Sequence, residues 1–365
     1  MANLLDIRRR IRSVSNTRQI TRAMKLVAAA RLRRAQERAL SARPYEQMLA
    51  SVLKSLMSRA EIYDPKSGKA RHPLLAHREE KNILLILVTG DRGLAGAFNS
   101  NIVRAAIRFV NEKAGLDLGF SESLLQDGGA ARMHGPLQRI EVQAIGRKGR
   151  DFLRRRFPVS EPNSRARGIY VVADRVGLMS KVNLSQATEL GAHIIDRYTR
   201  TEIDSVYLAF NEFKSVIAQR VVVDKLLPVR EIGRANVQQA EGLTEDQQQR
   251  ALKAAQGTGT RLRAADTRAI DEHSARFAAA KVDYIYEQSP DEIFDSLLPK
   301  YVGVQMFRAL LESVAAEHAA RMTAMDSATN NANEMNDTLK LAMDRARQAK
   351  ITKEIIEIVS GAAGQ

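Results

Sequence analysis

The 365-residue chain has no cysteine and no tryptophan, and aromatic residues make up only 5% of it. Without cysteine it has no disulfides, no thiolate zinc site and no dithiol redox switch. With so few rings, a base-stacking platform for single-stranded nucleic acid is poorly supplied. No apolar run reaches the roughly eighteen residues a membrane span requires, and the opening MANLLDIRRR lacks a signal-peptide core. The expectation is a chain that stays on the cytoplasmic side and does not insert into a bilayer. Negative charge is also scarce: 57 Lys and Arg face 42 Asp and Glu, a formal net charge of +15. That predicts a polyanionic partner, whether nucleic acid, an acidic membrane surface or an acidic protein.

Glycine and proline are missing from long stretches at both ends. Residues 1–43 contain neither, and they hold twelve Lys or Arg against Asp6 and Glu37, a net of +10. Their apolar residues Leu4, Ile7, Ile11, Val14, Ile20, Met24, Val27, Leu32 and Ala35 recur mostly three or four apart. This spacing predicts one amphipathic helix from about residue 3 to residue 43, about 60 Å long. Residues 304–360 also lack glycine and proline, and His318, Met322, Met325, Ala328, Ala332, Met335, Leu339, Ala342, Ala346 and Ala349 form a similar stripe. A second helix of about 80 Å follows. Its stripe is mostly Ala and Met, so little apolar area is buried per turn, and a pair built on it needs other surroundings.

The middle of the chain has a different texture. Strand-like runs stand at 83–89, 140–145, 169–173, 203–210 and 217–223, with helical stretches at about 99–113, 147–156 and 182–200. The alternation predicts an α/β layer with a mainly parallel sheet. Residues 114–138 interrupt it as a loop or small excursion. Residues 234–281 are polar, rich in Ala and Gln and broken by GTGT, and read as a surface insertion of one or two helices.

Motifs for chemistry are few. LVTGDRGLAGAFN (87–99) follows an apolar strand, but its glycines are spaced G-x-x-G-x-x-G rather than the G-x-G-x-x-G that lets a pyrophosphate approach the backbone. The phosphate-loop pattern fails too, because Gly68 and Lys69 are followed by Ala70 and Tyr63 stands in the first glycine's place. A tight strand-to-helix turn is the reading that remains. The six histidines make no H-E-x-x-H, and His72 and His77 in a proline-containing loop are a weak metal pair. Glu79 and Glu80 are adjacent and so diverge rather than converge on one substrate atom. No residue pattern argues for an enzyme. The basic helix ends, including Arg8, Arg9, Arg10 and Arg12, suit phosphates or acidic protein loops equally well.

Three stretches together carry a resemblance: DIRRRIRSVSNTRQITRAMKLVAAARLRRAQ at 6–36, TGDRGLAGAFN at 89–99, and AARMTAMDSATNNANEMNDTLKLAMDRARQAKITKEIIEIVSGAA at 319–363. In them the chain resembles the gamma subunits of rotary F-type ATP synthases, outside 114–138 and 234–281. The resemblance implies antiparallel N- and C-terminal helices packed as a coiled-coil shaft, with a central Rossmann-like α/β domain as its foot. The expected division is 1–62 for the N-terminal shaft helix, 80–228 for the foot, 229–290 for insertion and connector, and 291–365 for the C-terminal shaft helix. It implies a non-catalytic rotor without cofactor or metal, turning inside a ring of alpha and beta subunits. Its foot would meet the epsilon subunit and the membrane ring of c subunits, peripheral on the cytoplasmic face of a bacterial plasma membrane. By the same resemblance Arg8, Arg9, Met24, Lys25, Arg347, Gln348, Thr352 and Glu357 are expected to meet loops of the beta subunits. Ala95 stands where the family often has cysteine, and the dithiol insert of plant relatives has no counterpart in a chain without cysteine. Charge alone would also fit a nucleic-acid-binding protein with a coiled-coil arm, whereas a membrane-surface helix is disfavoured by the lack of Trp and Phe anchors in the N-terminal stripe.

Overall fold

The computed structural model describes residues 4–57, 70–114, 139–159, 168–229, 232, 236–258 and 289–363. Residues 115–138 of the excursion expected at 114–138, and the second half of the insertion, 259–281, lie outside them.

The apolar run of Asn82–Val88 (β1) forms the middle of a six-stranded sheet. Its flanking strands are Arg139–Ile145 (β2), Gly168–Arg175 (β3), Ser205–Phe213 (β4), Gln219–Leu227 (β5) and Val237–Gly242 (β6), in the order β3-β2-β1-β4-β5-β6. The first four are parallel, with Leu85 paired to both Val142 and Tyr207; β5 and β6 run antiparallel. Side chains alternate across a strand, and here both faces are covered. Ile83, Leu85 and Leu87 pack with Phe109 and Leu153, beneath helices Phe98–Lys113 (α2) and Arg147–Arg156 (α3). Leu84, Ile86 and Val88 face the other way, against Leu190 of Leu184–Thr199 (α4) and against the terminal helices. Burial on both faces is why β1 reads as an unbroken apolar run.

Five strands were legible in the sequence; β6 was not. VQQAEG is an edge strand, half-buried on one face only, and it carries no apolar alternation to betray it. The residues after it form helix Glu245–Gln256 (α5), opened by a capping box between Thr244 and Gln247. The start of the expected surface insertion is thus built into the fold. Ala251, Ala254 and Ala255 of α5 are buried in a cluster with Ala28, Leu32, Ala319 and Met322 of the terminal helices.

Those helices are Leu4–Met57 (α1) and Pro290–Ala363 (α6). Both run past the bounds read from the spacing, 3–43 and 304–360: α1 continues through Pro44, and α6 includes Gly303 and Pro299. An interior proline costs about 3 kcal/mol. Leu49, Leu53 and Leu56 beyond Pro44, and Phe294, Leu298 and Val302 around Pro299, are buried in the foot's core, and that burial outweighs the penalty.

The shaft is antiparallel, and its register can be read from its cross-helix bonds. Glu46 accepts from Gln305 and Arg308, Lys25 pairs with Asp326 at 2.6 Å, Thr21 meets Thr329 at 2.8 Å, and Arg18 donates to Asn333. As the number rises on one helix it falls on the other. The seam differs from the stripe expected: Met335 is 56% exposed, while Asn336 is 5% exposed, and Ile20 and Val27 lie outside while Thr21 and Ala28 lie inside. A three-four repeat from Met322 runs through Met325, Thr329, Ala332 and Asn336. Hydrophobicity alone steps aside at the polar positions, which pair across the seam or are simply enclosed by it.

Candidate functional site: the shaft surface

The glycine loop after β1 is a seat for the shaft. Thr89 closes the strand by donating from N and Oγ1 to the Ile145 carbonyl, and Gly90 N donates to Asn99 Oδ1 of α2. A Cβ on Gly90 would lie 3.0 Å from the Glu317 carboxyl carbon, so α6 approaches the bare backbone. Gly96 holds φ at +54°, a left-handed turn that favours glycine, and leads directly into α2. The tight turn expected from the sequence is present, and the side that a dinucleotide would need is occupied by a helix.

Other sequence candidates settle into structural places. His72 Nδ1 accepts from Leu74 N, capping a short helix, and its ring meets Phe294 edge-on at 6.1 Å. Among the described residues no group of three or more His, Cys, Asp or Glu is placed to hold a metal ion. Glu79 and Glu80 do diverge. Glu79 pairs with Lys81 at the surface, while Glu80 takes hydrogen bonds from Lys113, Lys225 and Tyr207 beneath the sheet edge. Burial would raise the Glu80 pKa, but those three bonds outweigh it and hold it at about 2.

The residues expected to meet partner loops lie at two levels of the shaft. Arg8 and Arg9 are exposed near the free end of α1, and the register sets them close to the level of Arg347 and Gln348, also exposed. Thr352 is exposed farther out, and Glu357 lies on the same helix. Met24 and Lys25 are half-buried and belong to a lower level: Lys25 pairs with Asp326, 21 positions before Arg347, or about 32 Å along the helix. Lys25 also lies beside the end of α5, where a Cβ on Gly257 would stand 2.9 Å from its Nζ.

Beyond the level of Leu4, where the described part of α1 begins, α6 has no paired helix among the described residues. Ile351, Ile355, Ile356, Ile358 and Val359 are between 44% and 71% exposed there. A run of bare isoleucines on a single helix marks a surface meant to be covered. The signal was present in ITKEIIEIVSGAA, where apolar residues occupy more than one helix face, but a stripe search looks only for one.

The ATP synthase family model matches residues 3–364. The ATP synthase gamma chain of Solibacter usitatus is 42% identical over 363 residues, covering 100% of this chain and 99% of that one. The chain belongs to the ATP synthase gamma-chain family. A second gamma chain, from Pelotomaculum thermopropionicum, is 39% identical over the same length and covers 100% and 99%. A chain of the cryo-EM structure of the Tetrahymena thermophila mitochondrial ATP synthase central stalk and c-ring shares the fold, with a TM-score of 0.51 at 22% identity, covering 85% of this chain and 99% of that one. The gamma-chain fold accounts for the architecture: a mixed α/β foot carried by two long terminal helices. Among the described residues no helix is long and apolar enough to cross a membrane.

Proposed function

We propose that the chain is the central rotor shaft of an ATP synthase, non-catalytic itself, which couples ion flow through a membrane ring to conformational cycling of catalytic beta subunits. The observation that carries this is the unpaired end of α6, where exposed isoleucines stand just beyond the cationic level of Arg8, Arg9 and Arg347. A sleeve of surrounding subunits covers such an end, and an asymmetric rod turning inside that sleeve biases each catalytic site among its open and closed states. The alpha and beta subunits form the sleeve, and the foot meets the epsilon subunit and the c-subunit ring at the cytoplasmic face of the bacterial membrane.

In this reading Arg8, Arg9, Met24, Lys25, Arg347, Gln348, Thr352 and Glu357 contact beta-subunit loops. Exposed ion pairs are worth about 0–1 kcal/mol each, so cationic side chains guide assembly without locking rotation. Lys25 already holds Asp326, so meeting a beta loop means exchanging one carboxylate for another. The test is a mild-detergent pull-down of the tagged chain from its native membranes, with ATPase activity assayed in the eluate. Recovery of alpha and beta subunits with ATP hydrolysis is expected; nucleic acid recovered without those subunits would overturn the reading. Charge reversal at Lys25 and Arg347 together is expected to lower coupled turnover, and unchanged assembly and turnover would remove those residues from the contact.

A further inference from the structure

An open cavity of about 370 Å³ lies where the shaft enters the foot. Its walls come from α1, from α6 and from the loops that follow β1 and β3, at the carboxyl edge of the parallel strands. Open α/β sheets bind ligands at that edge. Five arginines line the cavity: Arg31, Arg34 and Arg38 on one face of α1, Arg92 on the glycine loop, and Arg321 on α6.

The two acids in the wall do not neutralise them. Glu317 is spent on Arg321, at 2.5 Å. Asp91 Oδ1 accepts from the backbone N–H groups of Arg147 and Gly177, and its Oδ2 is buried. Arg31, Arg34, Arg38 and Arg92 have no carboxylate partner among the described residues. His318, also in the wall, has its pKa lowered to about 4, chiefly by burial and then by the charges of Arg321 and Arg31. The ring is therefore neutral at physiological pH.

We propose that this cavity binds a phosphate group, carried either by inorganic phosphate or by the polyphosphate chain of a nucleotide. Four unpaired guanidinium groups from two elements call for a multiply charged oxyanion. Their planar forks match phosphate oxygens two at a time, where a lone carboxylate satisfies only one. The remaining wall mixes apolar Met179 and Leu311 with Ser180 and the neutral His318 ring, and the volume sits near the lower end for small-molecule sites, leaving room for more than a single phosphate. Arg92 sits on the glycine loop and Arg321 donates to the Gly93 carbonyl, so the loop contributes to this site a cationic side chain rather than a phosphate-loop or dinucleotide motif.

The inference does not rest on the rotor reading, because it is tested on the free full-length chain. Calorimetric titrations at fixed ionic strength would use inorganic phosphate and, separately, ATP. Saturable 1:1 binding of at least one is expected, and the probe that binds identifies the source of the phosphate group. Arg34→Gln and Arg38→Gln, both at exposed positions, should each weaken it about tenfold or more, the value of a charge-assisted hydrogen bond. The pair Arg8→Gln with Arg9→Gln, at the far end of α1, should leave it unchanged. Binding of neither probe would overturn the proposal, as would equal weakening by the Arg8 and Arg9 pair, which would mark the attraction as diffuse charge.

Discussion

The foot and the upper shaft are both helical or sheet structure of ordinary geometry, yet they are held together in opposite ways. In the foot, residues 83–88 are each 0% exposed, closed over by leucines of α1, α4 and α6 on one face and by α2 and α3 on the other. In the shaft above Lys25 Ile7 and Ala332 are enclosed, but so are Thr21 and Asn336, with Thr329 part-buried against Thr21, while Ile20, Met335 and Leu341 face outward. The foot contains its own reason to fold. The upper shaft exposes apolar side chains and encloses polar ones, so a large share of its stabilisation is left to whatever surrounds it.

The sharpest way to break this contrast is a cavity in the foot. Leu85→Ala, at the centre of β1, is expected to cost about 2–5 kcal/mol, read as a lower midpoint in chemical denaturation of the full chain. The same truncation at exposed Leu341 should change the midpoint little, within about 0.5 kcal/mol.

The joint between the two regions carries a pH dependence. Glu312 on α6 is buried against Arg308, with Glu212, Glu46 and Arg43 nearby, and burial pushes its pKa up to about 7 in spite of Arg308. Burial likewise raises Asp224 on β5 to about 6, opposed by Arg308. Groups raised in the folded state contribute stability that is full below their unfolded range near 4–4.5 and is lost as pH rises through the folded values. The midpoint temperature of the chain should therefore fall between about pH 4.5 and 7, less steeply than the two acids alone would give, because His318, lowered to about 4 in the fold, adds stability as pH rises toward its unfolded value of 6.5. Glu312→Gln should flatten much of that slope, and an unchanged slope would show that Glu312 does not titrate there.

Smaller effects test the seam. Lys25→Met leaves the Asp326 carboxylate, only 16% exposed, without its partner and should cost about 1–3 kcal/mol, read in the same melting experiment. Asn336 is enclosed with its Oδ1 unpaired, so Asn336→Leu should stabilise the upper shaft by about 1 kcal/mol, seen as a higher melting temperature of helix by circular dichroism. The foot's hydrogen-exchange protection should not move.

How much of this was legible beforehand follows the same division. The strands β1 to β5 and the helices α2, α3 and α4 announced themselves because doubly covered strands and amphipathic helices leave strong periodic signals. The edge strand β6 did not, since one half-buried face of VQQAEG has nothing to alternate. Pro44 ended the glycine- and proline-free stretch at one end and Gly303 began it at the other, and tertiary burial of Leu53 and Leu298 lets the helices run past both. The shaft seam was misplaced by one position at Met335 because polar Asn336 is the residue inside. The cationic cavity was invisible for a different reason: Arg31, Arg92 and Arg321 come together only when the glycine loop receives α6.

The continuity of α6 has a mechanical meaning. One unbroken helix of 74 residues begins among the foot's leucines and ends among the bare isoleucines, about 110 Å away. No loop, glycine hinge or domain boundary intervenes between residue 304 and residue 360. A twist applied at the foot therefore reaches the far end through a single ladder of backbone hydrogen bonds, with α1 bracing most of its length. Between residues 304 and 360 a twist is spread along that ladder as torsion, with no joint to concentrate it.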